Sequence, residues 1–207
     1  VDDDDAVRSG LRMLLEQHAF TVRDFASADE FMHAYQDDDP GCVVLDLCMP
    51  GTDGLALQEY LSVQGLPIPI IFISGQGNIP ASVRAIKSGA INFLEKPVPH
   101  QELLANIQEA LLLDTCRRSR MQKERELRMR YRSLTPREQE VMAMVASGLT
   151  NKAMADHLHI SSRTVEIHRS RMMKKLQAGN LVDLVSVARV CGVVNQFHES
   201  MKNADPE

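Results

Sequence analysis

Tryptophan is absent from the 207 residues, and aromatic residues make up only 4% of them. A core must therefore be assembled mainly from Leu, Val, Ile, Ala and Met. Cysteine is scarce too. Cys42, Cys48, Cys116 and Cys191 form no CxxC pair, and their spacings fit no zinc site. Reduced thiols in an intracellular protein are the expectation. No run of about 18 apolar residues is present, so no membrane span is expected. The chain opens on no basic stretch followed by a short apolar one, so a secretory leader is not expected and a cytoplasmic protein is.

What is present is a division of charge. Residues 1–113 carry 17 acids against 6 bases, and residues 114–207 carry 11 acids against 17 bases. The overall balance of −5 conceals this split. An acidic half is suited to a divalent cation, and a basic half to phosphate groups.

The acidic half alternates strand-like and helix-like segments. Buried parallel strands are read at 42–47 (CVVLDL) and 70–74 (IIFIS), with shorter ones at 20–25 and 90–94. Helical periodicity covers 6–18, 55–63, 79–88 and 100–113. Ser27 and Glu30 read as a capping box for a further helix ending near Tyr35. This alternation predicts a doubly wound parallel α/β sheet. In that fold a strand should precede Val1. The sequence is therefore read as lacking several native N-terminal residues, with Val1 the last residue of that strand.

Ligands of such sheets bind at the carboxyl ends of the strands. Asp2 and Asp3 would follow the first strand, Asp46 stands at the end of the CVVLDL strand, one residue before Leu47, Ser74 closes IIFIS, and Lys96 follows the 90–94 strand. Three carboxylates need a cation, and hard oxygen ligands suit Mg²⁺, with Mn²⁺ the alternative. A metal and an ammonium around a carboxylate suit phosphoryl transfer, with Asp46 as nucleophile.

In their order and spacing, VDDDD, LDLCMPGTDG, FISGQGN, SGA and FLEKP resemble the receiver domains of two-component response regulators, most closely those of the FixJ type. The resemblance covers residues 1–113. It implies Asp46 as phosphoacceptor, and Asp2, Asp3, Asp46 and the Cys48 carbonyl as Mg²⁺ ligands. It further implies Ser74 and Lys96 as phosphoryl-binding groups, Phe93 as a switch aromatic and a cis Lys96-Pro97 peptide. Asp4 and Asp5 would be exposed acids.

Residues 114–133 form a charged connector without Gly or Pro, read as a solvated linker or an extension of the preceding helix. Residues 134–195 are read as an all-helical domain with helices at 136–146, 151–157, 163–176 and 181–191, followed by a polar tail at 196–207. Thr135 and Glu138 form a capping-box pattern around Pro136. Two short helices with a tight connection, the second rich in Arg and Lys, read as a helix-turn-helix. Helical geometry turns Val165, Met172 and Leu176 inward. It turns Arg163, Glu166, Ile167, Ser170, Arg171 and Lys174 outward, a polar and basic face suited to a major groove. The segments LTPRE, TNKAMADHLHIS and RTVEIHRSRMMKKL resemble the LuxR/NarL-type DNA-binding domain. That resemblance implies 163–176 as recognition helix. Thr164 joins the DNA-contact set, and Asn151 and Lys152 are candidate phosphate contacts.

Together these features predict a non-enzymatic response regulator. Its partners would be a sensor histidine kinase, promoter DNA and RNA polymerase. Phosphorylation would pair two copies through the 79–88 helix and the strand around Phe93. Two other readings are weighed. A Mg²⁺ phosphatase would want an acid two residues after Asp46, where Cys48 stands. A docking module that regulates DNA binding without phosphorylation leaves the complete acceptor set unused.

Overall fold

The computed structural model describes residues 1–36, 40–66, 68–75 and 79–193. Residues 76–78 of FISGQGN and the tail after Gln196 lie outside the described residues. The chain divides into two units, residues 1–118 and 119–207, and each is considered by itself.

In the first unit the strands are β1 (Val43–Asp46), β2 (Ile70–Ser74) and β3 (Asn92–Glu95), all parallel, in the order β1-β2-β3. The helices are α1 (Asp5–Gln17), α2 (Ala28–Ala34), α3 (Gly54–Val63), α4 (Ile79–Lys87) and the start of α5 (His100–Arg132), whose residues from Ser119 onward belong to the second unit. Side chains alternate across a strand, and the apolar runs obey this. Val43, Leu45, Ile70 and Phe72 face one core with Phe31, Leu57 and Ala85. Val44, Ile71 and Ile73 face another with Leu15, Leu103 and Ile107. Helices thus cover both faces, as expected of a doubly wound sheet, and β2 is buried along its whole length.

Three expectations need correction. Residues 20–25 form no strand. A strand requires a neighbour with a continuous ladder, whereas the segment bonds at its two ends only, Phe20 N donating to Leu15 O at 3.1 Å and Asp2 N to Phe25 O at 3.2 Å. Val1 itself lies against β1: its amine donates to Val44 O at 2.8 Å, and Asp46 N donates to Val1 O at 2.9 Å. The second correction concerns the capping box at Ser27. Ser27 does cap α2 by accepting from Glu30 N, but the Glu30 carboxylate accepts from Ala26 N, one residue further back. The strand expected at 90–94 is shifted to Asn92–Glu95. Residues 88–90 are instead spent closing α4, through Ala90 N to Ala85 O and a Gly89 with φ of 95°.

The helix expected at 100–113 runs to Arg132. Nothing in residues 114–132 interrupts it, since the segment holds neither Pro nor Gly.

In the second unit four helices follow: α6 (Pro136–Ala146), α7 (Asn151–Leu158), α8 (Ser162–Leu176) and α9 (Leu181–Val190). Thr135 and Glu138 form the full reciprocal capping box, with Pro136 in the first turn. Val141, Met142, Met154, Val165, Met172 and Leu184 form the centre of the core. Methionine does here what aromatic rings do elsewhere, its flexible thioether filling irregular gaps.

Candidate functional site

Asp46 is the last residue of β1, and Ile73 is its partner on β2. Ser74 therefore lies one step beyond that pair, and Lys96 follows β3, its N–H bonded to Ser74 O at 2.7 Å. Parallel strands end on the same side, so one rim collects all three residues. The turn after Val1 brings Asp2 and Asp3 to it. Carboxylate oxygens of Asp2, Asp3 and Asp46 all lie within 4.8 Å of one another. Asp2 and Asp46 are buried, Asp3 is exposed, and Ser74 is buried.

Lys96 stands between two of the acids, its Nζ 2.7 Å from Asp2 Oδ2 and 3.0 Å from Asp46 Oδ1. Burial pulls the ammonium pKa down. The hydrogen bonds to Asp2 and Asp46 outweigh that and hold it above the ordinary lysine value. At Asp46 the balance runs the other way. Burial raises the carboxyl pKa, Lys96 opposes, and the charges of Asp2 and Asp3 add to the rise, leaving it above the ordinary aspartate value. Three acids and one ammonium leave a deficit of positive charge. The oxygen-only donor set and its spread, close to the ~4 Å across an octahedral Mg²⁺ shell, fit a small divalent cation.

The surrounding backbone fixes these groups. Asp2 Oδ1 accepts from Asp4 N at 2.9 Å, and Arg8 Nη1 donates to Asp2 O at 2.8 Å. Asp4, expected as a merely exposed acid, caps α1 by accepting from Ala6 and Val7 N–H. Asp5 pairs with Arg8. Cys48 is exposed just past β1. The Lys96-Pro97 peptide is cis. Phe93 is half-buried and packs on Phe72 at 6.2 Å between ring centres. Gly54 was not singled out from the sequence. A Cβ there would lie 2.4 Å from the Asp46 carbonyl oxygen and 2.9 Å from the Phe72 ring. Its place directly after the Asp53 cap in PGTDG was the available signal.

In the second unit α7 and α8 are joined by His159, Ile160 and Ser161. His159 closes α7 in the left-handed region at φ 51°, and Ser161 caps α8 by accepting from Thr164 N. On α8, Val165, Met172 and Leu176 are buried. Arg163, Glu166, Ile167, Ser170, Arg171 and Lys174 are exposed. Ile167 keeps 44% of its surface in solvent, an apolar side chain among polar and basic ones.

Two contacts engage residues of the expected DNA-contact set. The Thr164 hydroxyl is engaged by Ser161 at 2.8 Å, so it serves the cap. Asn151 Oδ1 accepts from Arg169, which leaves its amide N–H groups to point elsewhere, while Lys152 is exposed. Sequence reasoning missed how LTPRE supports this face. Arg137 donates to Leu158 O at 2.7 Å at the end of α7. Glu138, only 2% exposed, binds Lys175 of α8 at 2.6 Å. Both helices of the motif are thereby tied to α6.

Comparison with known proteins agrees with this division. Residues 1–108 match the response regulator receiver domain, and residues 132–188 match the bacterial regulatory proteins of the luxR family. The response regulator protein TodT of Pseudomonas putida is 42% identical over 187 residues, spanning 90% of this chain and 82% of that protein. The transcriptional regulatory protein FixJ of Bradyrhizobium diazoefficiens is 38% identical over 195 residues, spanning 94% and 95%. Among solved structures, the response regulator StyR superposes with a TM-score of 0.83 at 43% identity, over 91% of this chain and 96% of that one.

Proposed function

The chain belongs to the two-component response regulators that join a receiver to a luxR-type DNA-binding domain, and on that premise we propose that Asp46 is its phosphoacceptor. The observation that carries this is the convergence of Asp2, Asp3, Asp46 and Lys96 on one rim of the sheet.

A phosphohistidine of a sensor histidine kinase is the donor. An oxygen of Asp46 attacks phosphorus, the P–N bond breaks, and its electron pair returns to the imidazole. A Mg²⁺ or Mn²⁺ ion, held by Asp2, Asp3, Asp46 and the Cys48 carbonyl, supplies charge neutralisation to the phosphoryl oxygens when bound. Lys96, already in contact with Asp46, leaves that carboxylate for a phosphoryl oxygen once the acid is esterified. Ser74 closes on another, and Phe93 follows it inward. The chemistry is confined to phosphorylation and dephosphorylation of this chain; no other substrate is turned over.

The switched surface is α4 with the strand around Phe93. Ile79, Val83 and Ile86 stand exposed along α4, an apolar face suited to a second copy. Two receivers paired there bring two α8 helices to neighbouring half-sites, and weak single contacts are multiplied. Arg163, Ser170, Arg171 and Lys174 meet phosphates and base edges, with Lys152 on the backbone. Glu166 suits cytosine N4 and Ile167 a thymine methyl. DNA-bound dimers act on RNA polymerase in the cytoplasm. Phosphate works only through tighter binding to the paired arrangement than to the unpaired one.

Phosphate-affinity electrophoresis of wild type and Asp46→Asn, with acetyl phosphate and Mg²⁺, tests this reading. The retarded band should form in wild type alone. A retarded band of equal intensity in the mutant rejects Asp46 as acceptor.

A further inference from the structure

Asp114 is the one acid of α5 buried to 0% exposure among the described residues. It extends the inward stripe of that helix made by Leu103, Ile107 and Ala110, so it stands where helical periodicity asks for another apolar side chain. A carboxylate removed from water is tolerated only with partners, and it has three. Gly41 N–H donates to Oδ2 at 3.0 Å, Arg118 Nε donates to the same oxygen at 2.7 Å, and Arg117 donates to Oδ1.

The position of these partners matters more than their number. Gly41 lies 73 residues away in sequence and leads through Cys42 into β1, the strand that ends in Asp46. Arg117 and Arg118 belong to the last turn of α5 that clusters with the receiver; the next residue, Ser119, begins the other unit. One carboxylate therefore links the head of the acceptor strand to the point where α5 leaves the receiver. Cys42 registers the same enclosure: burial first, then the Asp114 charge, pushes its thiol up to about 12. An apolar residue at 114 would fill the core position at less desolvation cost, so packing alone does not call for this network.

We propose that Asp114 is a positioning residue for signal transfer, stapling the exit turn of α5 to the Gly41 entrance of the acceptor strand so that phosphorylation at the far end of β1 is felt in the 119–132 segment. This rests on the reading of Asp46 as phosphoacceptor and adds the route by which its state leaves the receiver. Asp114 touches neither metal nor phosphate, so its loss spares phosphoryl uptake and severs the response.

Amide hydrogen exchange of the full chain, with and without acetyl phosphate and Mg²⁺, tests this in wild type, Asp114→Asn and Arg118→Gln. Phosphate-affinity gels run in parallel report the label on Asp46. Asp114→Asn should be labelled like wild type. Residues 110–118 should exchange about tenfold or more faster, and the phosphorylation-dependent change in 119–132 should vanish. Arg118→Gln, which keeps the carboxylate and its other donors, should do the same to a smaller extent and decides the matter if Asp114→Asn does not fold. Unchanged exchange at 110–118 overturns the staple. A change in 119–132 that persists in the labelled variant, or that is missing from labelled wild type, overturns the relay alone. Wild type that takes up no label overturns the phosphoacceptor reading and the relay with it.

Discussion

Lys96 Nζ lies 3.0 Å from Asp46 Oδ1, so the acid read as nucleophile is already hydrogen-bonded to the cation read as receiving its phosphate. Burial and two neighbouring acids push protonation of Asp46 upward, and Lys96 is the contact that resists them. Removing it should move the pH midpoint of phosphoryl uptake further up, because the raising influences then act unopposed. Lys96→Met should also lose stabilisation of the transferring oxygens, slowing uptake by about a hundredfold at neutral pH. Initial rates of labelling by acetyl phosphate between pH 5 and 8 check both. An unmoved midpoint with a wild-type rate would assign Lys96 to structure alone.

The same shift makes a stability claim with a definite sign. Asp46 has a raised pKa in the fold, so it favours folding while protonated and the benefit is lost as pH rises through that value. At neutral pH the ionised acid is a burden. Asp46→Asn should therefore melt higher than wild type without metal, by roughly 2–4 °C for each kcal/mol recovered. Mg²⁺ should narrow the gap by stabilising wild type more. Tryptophan is absent, so calorimetry or circular dichroism is the appropriate readout. A metal-free mutant that melts lower contradicts this account.

Gly54 offers a test that involves no charge. A single added methyl at this position meets the Asp46 carbonyl oxygen at 2.4 Å, and backbone cannot step aside as a flexible side chain would. Gly54→Ala should cost about 1–3 kcal/mol and displace Asp46, so thermal stability and labelling rate should fall together. Wild-type behaviour in both would show that α3 can shift freely from β1.

Most of this arrangement was legible in sequence because it depends on local order. CVVLDL and IIFIS are mainly apolar, and the strand within each ends in the polar residue that reaches the rim, Asp46 or Ser74. The α8 face was legible because a period of 3.6 separates Val165, Met172 and Leu176 from the residues facing water. What escaped were contacts between distant segments. Arg137 reaching Leu158 O, Lys175 reaching Glu138, and Asp114 reaching Gly41 N–H leave no periodic trace. The segment at 20–25 failed for a related reason: strand-like composition does not supply a neighbouring ladder.

The Glu138–Lys175 pair should govern the acid limit of the DNA-binding unit. Burial raises the Glu138 pKa, but Lys175 and the Thr135 N–H and hydroxyl outweigh it and hold the carboxyl below the ordinary glutamate value. A depressed carboxyl stabilises the fold above its unfolded pKa and loses that contribution as pH falls through the folded one. Glu138→Gln should cost about 1–3 kcal/mol at pH 7 and flatten the acid limb. Lys175→Met should cost more than Glu138→Gln, since it leaves the buried carboxylate without its cation, although solvent around the partly exposed Lys175 and the Thr135 donors keep the loss below that of a fully buried pair. Helical circular dichroism from pH 7 to pH 3 reads both. Reversal of that order would mean the pair is not what holds α6 to α8.

Ile167 and Lys152 separate the two kinds of DNA contact. Ile167 is an exposed apolar side chain in the middle of a basic face, and a thymine methyl is the groove feature that rewards it. Lys152 sits in the first turn of α7, where a cation meets phosphate without reading sequence. Selection from a random duplex library should show Ile167→Ala losing preference at one base position, worth about 1–3 kcal/mol of discrimination. Lys152→Ala should weaken all sequences alike and reduce the salt slope by about one. Matching losses of specific and non-specific binding in the two variants would mean that α8 lies on the backbone and that some other element reads the bases.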